Sequence, residues 1–411
     1  MPTKFKQWVR QHILPRRRDD TRFPSLPPGD RPVTPPSYAP SSATANSPLF
    51  TILPAEIRRQ ILIEAFGNST LHIDLVYDYP PLPTHEGPIP KNPTEEGHYH
   101  CNRLVPRPGF RRHIDDTKPR RWQWFGSVCH SLIPGGSPLP RKHYRREEPC
   151  LDACGGDAGE DPMCFLWAGE TPGHCFVGAL GWLRSCREAY AEGVEVLYTT
   201  NTFRIRDMVI LERARELFVP HRWASVRKLE IVWCMHPWGD GAPGCDDLEA
   251  YLAFLEKMPS MLAGLDTLYV SVQGGMGPRE EWPLPPMQGV VGYKEKIRRK
   301  GQVGIDLVLE PMEAMIRQLP EKVSCNIAVP SSMYVLLRDE ALREGRTVER
   351  TCLGQRERCW RETEGRGYWL RLGQVDMSNG RVPIICMMGG WMEDDPAPEE
   401  DKVLFEEYDV V

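Results

Sequence analysis

The residues of this chain best suited to metal or nucleophilic chemistry are unevenly placed. Six of its thirteen cysteines (Cys101, Cys129, Cys150, Cys154, Cys164, Cys175) and six of its eleven histidines (His98, His100, His113, His130, His143, His174) lie between positions 98 and 175. Thiolate and imidazole are the ligands zinc prefers, so His98, His100 and Cys101 could join Cys129 and His130, or Cys150 and Cys154 could join Cys164 and Cys175. There is no CxxC pair, and the spacings match no zinc finger, so the expectation is no bound metal. A nucleophilic site would need a thiolate beside an imidazole, for which Cys186 or Cys234 with His236 are the candidates. A buried cysteine serving as a small apolar filler is the expected role instead. The chain has no phosphate-cradling GxxxxGK, no GxSxG elbow, no HExxH and no calcium loop. The expectation is a protein without catalytic residues and without a cofactor.

A second pattern is electrostatic. From Arg103 to Arg146 there are eleven Lys or Arg against Asp115 and Asp116, a local +9, interleaved with Phe110, Trp122, Trp124, Phe125 and Tyr144. Cations that neutralise phosphates, with rings that stack bases, are what single-stranded nucleic-acid binding needs, which makes this stretch an alternative function. A solvated loop with anchoring aromatics is the plainer reading. Glu393 to Val411 holds nine acids and one lysine, a local −8 that could screen the basic stretch. Removing residues 393–411 is then expected to raise affinity for heparin or RNA.

Composition bounds the rest. The net charge of −5 argues against overall attraction to nucleic acid or membranes. No apolar run reaches 18 residues and the N-terminus carries no signal-peptide apolar region, so the expectation is a cytoplasmic or nuclear chain with reduced thiols. Forty prolines and 35 glycines cluster in a few segments, which shrinks the folded part. The expected organisation is a disordered basic and Pro-rich segment (1–47), a helical head split between 48–77 and 172–206, a Pro/Gly-rich basic insert (78–171), an α/β region (207–392) and an acidic tail (393–411).

The head is where the chain is organised. Pro54 lacks an amide hydrogen and suits a helix start, Glu56 complements the positive helix end, and Gly67 is a permissive stop. Between them Ile57, Ile61 and Ala65 form one stripe that Leu62 and Phe66 widen, with Ile63 near the far edge. A single neighbour would not cover so broad an arc. Burial on two sides within the chain is one explanation; the other leaves Leu53 and Ile63 to a partner protein. A second helix is expected over Val177–Tyr198, with Leu180, Leu183, Cys186, Arg187, Tyr190, Ala191, Val194, Leu197 and Tyr198 on one face and Glu188, Glu192 and Glu195 opposite. Arg187 on the apolar flank is expected to meet a carboxylate or carbonyl acceptor. Asn201 signals a turn before a short strand carrying Phe203.

LPAEIRRQIL, followed later by LRSCREAYAEGVEVLYTTNTF, resembles the F-box-like families of filamentous fungi, including one described only as a domain of unknown function. In such proteins the leucine-proline helix is similar to the first helix of an F-box. The resemblance implies a protein-interaction module that could recognise substrates for a ubiquitin ligase. It assigns Leu53, Pro54, Ile57, Ile61 and Ile63 to contact with a Skp1-like adaptor, and gives Cys186, Arg187, Tyr190, Leu197, Tyr198, Asn201 and Phe203 as the family signature. A stand-alone interaction scaffold, in which the same helix is only core, is the alternative.

Downstream, strands alternate with helices. SVRKLEIVW, LDTLYVSV and VSCNIAV read as strands; ILERARELFVP, DDLEAYLAFLEKM, PMEAMIRQL and SSMYVLLRDEALREG read as helices, the last capped by Ser331 or Ser332; YWLRLG and PIICMMGGW read as edge strands. The expected fold class is α/β, or α+β, with a mostly parallel sheet or a short irregular solenoid following the head. Leu229, Leu268 and Leu307 recur every 39 residues, but the segments between them do not repeat.

Overall fold

Nine strands form one sheet in the order β2-β1-β3-β4-β5-β6-β9-β8-β7. The structure is a computed structural model that describes residues 21–24, 26, 47–80, 117–128, 177–206, 208–234, 248–273, 301–349 and 357–373. The Cys/His-rich stretch, most of the basic insert, the expected strand PIICMMGGW and the acidic tail lie outside the described residues. The strands are β1 (Thr70–Asp78), β2 (Arg121–Val128), β3 (Thr202–Ile205), β4 (Lys228–Cys234), β5 (Thr267–Gln273), β6 (Ser324–Val329), β7 (Val348–Glu349), β8 (Arg358–Thr363) and β9 (Arg366–Leu372). β1, β3, β4, β5, β6 and β9 run parallel, while β2 and the β7–β8 pair add antiparallel edges.

Spatial order therefore follows chain order through the parallel core. Right-handed crossovers that all step the same way must place their helices on one face. The core shows that they do. Side chains of α5 (Met208–Glu212), α6 (Ala214–Leu217), α7 (Pro220–Trp223), α8 (Leu248–Met261), α9 (Glu310–Gln318) and α10 (Ser331–Arg343) all join one apolar cluster with the rows Phe203–Leu229–Leu268–Cys325 and Ile73–Ile205–Ile231–Val270–Ile327–Leu370–Cys359. Leu229 and Leu268 are Cα partners on neighbouring strands, so their 39-residue spacing marks one sheet row; Leu307 instead lies in a π-helical turn, Ile305–Leu309, which leads into α9. Tyr251 Oη donates to the Val308 carbonyl at 3.0 Å and ties α8 to that turn.

Several expected elements differ in detail. The helix over ILERARELFVP is broken into α5 and α6 at Arg213. α10 is preceded by Pro330, and neither Ser331 nor Ser332 supplies the cap. β9 is not an edge: the hairpin partner β8 and the two-residue β7 extend the sheet beyond it. That hairpin is held to the helices by buried polar side chains. Glu313 accepts from Arg361 Nε at 2.6 Å and from Tyr368 Oη at 2.5 Å, and Glu357 accepts from Tyr334 Oη at 3.2 Å and pairs with Arg338. Burial pushes both tyrosine hydroxyls well above their ordinary range, so they stay protonated donors.

Candidate functional site

The helical head is built from α1 (Pro48–Thr51), α2 (Ala55–Phe66), α3 (Ala179–Leu183) and α4 (Arg187–Thr200). Pro54 has extended backbone and stands one residue before α2, which begins at Ala55 rather than at the proline. The single helix expected over Val177–Tyr198 is two. The chain turns at Arg184–Cys186, and Cys186 is the N-cap of α4, its Sγ accepting the Ala189 N–H at 3.3 Å. Cys186 is thus a cap and not part of a buried stripe. Arg187, expected to meet an acceptor on an apolar flank, is instead the exposed first residue of α4.

α2, α3 and α4 meet through Leu62, Phe66, Ala179 and Val196, with Ile63, Val177, Trp182, Leu183 and Leu197 packed around them. Two glycines permit this closeness. A Cβ on Gly67 would lie 2.7 Å from Thr200 Oγ1 and 2.8 Å from Ile63 Cα; one on Gly193 would lie 2.6 Å from Trp182 Cδ1. At the other end of α2, Arg58 Nε lies 3.0 Å from both oxygens of Glu192, and its Nη1 donates to the Leu53 carbonyl. The hydrogen bond to Glu192 pushes the guanidinium pKa up further. Arg58, not Arg187, is the arginine that joins the two helices.

Both helices end on Asn201, which is fully buried. Its Nδ2 donates to the Phe66 carbonyl (2.9 Å) and the Leu197 carbonyl (3.0 Å), and its Oδ1 accepts the Ser69 N–H (2.9 Å). One side chain therefore serves a carbonyl at the end of each helix and the amide that leads into β1. Directly after it, Thr202 N–H donates to the Ser69 carbonyl, starting the β1–β3 pairing. Tyr198 stacks on Phe203 at 5.3 Å and carries the head onto the sheet core, and the Arg222 guanidinium lies 6.0 Å from the Tyr190 ring.

The outward side of α2 is apolar as well. Ile57 is 49% exposed and Ile61 46%, one helical turn apart, and Ile52 is 75% exposed just before the helix. Leu53 is half-buried, Pro54 is exposed, and Ile63 is half-buried against the head's own cluster. Glu56, Arg59, Gln60 and Glu64 rim the Ile57–Ile61 stripe. Of the five residues expected to face a partner, Pro54, Ile57 and Ile61 lie open, Leu53 is half-open, and Ile63 turns inward.

The sheet carries a second distinctive surface that sequence periodicity did not single out. Its face away from the helices presents the row His72–Arg204–Glu230–Tyr269–Asn326–Trp369–Trp360. Arg204 and Glu230 form a buried pair at 3.1 Å, and Trp360 meets Trp369 edge-on at 5.1 Å beneath the Arg358 guanidinium. Alternation of apolar and polar residues in LHIDLVY signalled a strand, but period two cannot say whether the polar side would also be buried.

Trp122 and Trp124 of the basic stretch belong to β2. They pack against Phe23 and Tyr77, and against Phe218. Among the described residues no His, Cys, Asp or Glu group is arranged to hold a metal ion, and no helix is long and apolar enough to cross a membrane. His236 and the candidate zinc ligands lie outside the described residues, and the Cys234 side chain is likewise not described. Burial pushes the Cys359 thiol up to about 11 and raises that of Cys325 too, so both hold their protons at neutral pH.

A family model described as a domain of unknown function (DUF7730) matches residues 154–239. That span takes in α3, α4, the Asn201 junction and β3–β4, and leaves out α2 and β1. No curated protein and no solved structure matches the chain.

Proposed function

We propose that the chain is a non-catalytic protein-interaction module of F-box-like type, whose α2 docks on a Skp1-like adaptor while the α/β body holds a target for a ubiquitin ligase. The observation that carries this reading is the division of α2: Leu62 and Phe66 close the head, while Ile57 and Ile61 stay open on the opposite side. Exposed isoleucines at i and i+4 on a rigid helix are the anchors that a hydrophobic groove takes up. The head is rigid because Arg58–Glu192 and Asn201 pin both of its ends. The body supports a binding role in a different way. Among the described residues its parallel strands follow one order without reversal, so that sheet has no switch point of the kind at which open α/β sheets usually place a small ligand. The nucleic-acid alternative is weakened at Trp122, whose ring packs on Phe23 and Tyr77, whereas Trp124 meets Phe218 edge-on and stays 43% exposed.

The test is capture by a Skp1 protein of the full chain and of the Ile57→Asp/Ile61→Asp variant. Recovery of the wild type with loss in the variant supports the adaptor reading. Equally poor recovery of both leaves the stand-alone scaffold, in which the stripe meets some other protein.

A further inference from the structure

One short stretch of the N-terminal segment is seated on the body. Phe23 meets Trp122 of β2 edge-on, with ring centroids 5.2 Å apart, and packs against the apolar cluster between sheet and helices. The Arg213 guanidinium lies over the same ring, 3.7 Å from its centroid. Glu216 holds that guanidinium in place, its carboxylate accepting from Nε at 3.1 Å and from Nη2 at 2.5 Å. Three residues on from Phe23, the Leu26 N–H donates to the Glu216 carbonyl at 2.7 Å. That carbonyl lies in the last turn of α6, and the residue four places on, Pro220, has no amide hydrogen to give it. The break between α5 and α6 at Arg213 thus makes a seat with three fittings: an aromatic wall, a cation and a backbone acceptor. Phe23, Pro24 and Leu26 are each half-buried in it, while Thr21 and Arg22 are exposed. One aromatic anchor and one main-chain bond on a proline-containing stretch are how short peptides dock, not how core elements pack.

We propose that this seat recognises an extended peptide of the pattern aromatic-Pro-x-aliphatic, and that Phe23–Leu26 is a cis copy which a partner protein carrying the same pattern displaces. The resident residues define the ligand class. An aromatic ring meets Trp122 and Arg213, proline favours extended backbone at the residue before it, and the amide three positions after the ring reaches Glu216. The seat is separate from the Ile57–Ile61 stripe, which belongs to the head. Attachment in the same chain supplies a local concentration on the order of 1 mM. Against an intrinsic Kd of about 0.1 mM, the cis copy weakens binding of a free peptide about tenfold.

The experiment is fluorescence anisotropy with a labelled peptide of residues 19–30, DDTRFPSLPPGD, titrated with the full chain and with its Phe23→Ala variant. The variant vacates the seat, and matching circular dichroism shows that the body stays folded. It is expected to bind the peptide about tenfold more tightly than the wild type does. Adding Arg213→Gln to that variant should weaken binding at least ~threefold, and Phe23→Ala in the peptide at least ~tenfold. A vacated chain that ignores the peptide overturns the proposal. Equal affinity in wild type and variant does so too, as does a wild type that peptide at several millimolar does not enter. Sedimentation of the wild type as a concentration-dependent dimer that Phe23→Ala abolishes would put the segment on a second copy and overturn the cis assignment.

Discussion

Asn201→Ala is the substitution whose cost can be worked out most directly. The change removes hydrogen bonds of 2.9, 3.0 and 2.9 Å to two helix-end carbonyls and one strand-entry amide, all at a fully buried position. At a net ~1 kcal/mol per bond, plus the desolvation left on groups that lose their only side-chain partner, the loss comes to about 3–5 kcal/mol. That is a large fraction of a typical domain's stability of about 5–15 kcal/mol. Asn201→Asp separates hydrogen-bond chemistry from shape, since it keeps the volume and the acceptor for Ser69 but turns a carboxylate toward the Phe66 and Leu197 carbonyls. At neutral pH it should be at least as damaging as alanine. Below the carboxylate range a protonated Asp can donate one bond, so Asp should then become the milder change. Urea unfolding followed by circular dichroism at pH 7 and pH 4 gives both comparisons. A cost below about 1 kcal/mol for Asn201→Ala, or an Asp variant indifferent to pH, would refute the view that this side chain holds the head together.

Glu313→Ala leaves the Arg361 guanidinium and Tyr368 hydroxyl without their shared acceptor between α9 and the β8–β9 hairpin, and should cost about 3–5 kcal/mol in urea unfolding; a change under about 1 kcal/mol would show the pair is dispensable. Cys359 should resist iodoacetamide in the folded chain at pH 8, because its thiol loses its proton only near about 11, and should react in urea; peptide mapping that finds it modified as fast as in urea contradicts its burial. Because the folded thiol holds a proton that the unfolded chain releases earlier, stability should fall by up to about 1.4 kcal/mol per pH unit as pH climbs from the usual thiol range toward about 11. A denaturation midpoint that stays flat over that window in wild type but tracks pH in Cys359→Ala would reverse the assignment.

Much of the body was legible because its strands are fully buried on the helix side and separated by amphipathic helices of ordinary length. LEIVW, TLYVSV and CNIAV fell where the β-branched runs placed them, and their parallel pairing followed from the helices between them. What period and propensity could not show was anything set by a distant partner. RWQWFGSV was read for its charge and rings, and only the antiparallel register with β1 makes it a strand. The break at Cys186 escaped because apolar spacing runs smoothly across it, whereas the structure uses Gly193 to let Trp182 fold back onto α4. In α2 the stripe was seen correctly as too wide for one neighbour. Which side would be buried was decided by Trp182, Leu183 and Val196, residues more than a hundred positions away in sequence. Arg58 and Arg187 illustrate the same limit: both lie beside apolar positions, but only Arg58 finds a carboxylate, on Glu192.

The most direct measurement is the affinity of the folded full chain for a Skp1 protein, by calorimetry, in wild type and in Ile57→Asp/Ile61→Asp. The open stripe predicts measurable binding by the wild type and at least ~hundredfold weaker binding by the variant, with both chains showing the same circular dichroism. Equal affinity in the two proteins, or none in the wild type, would contradict it.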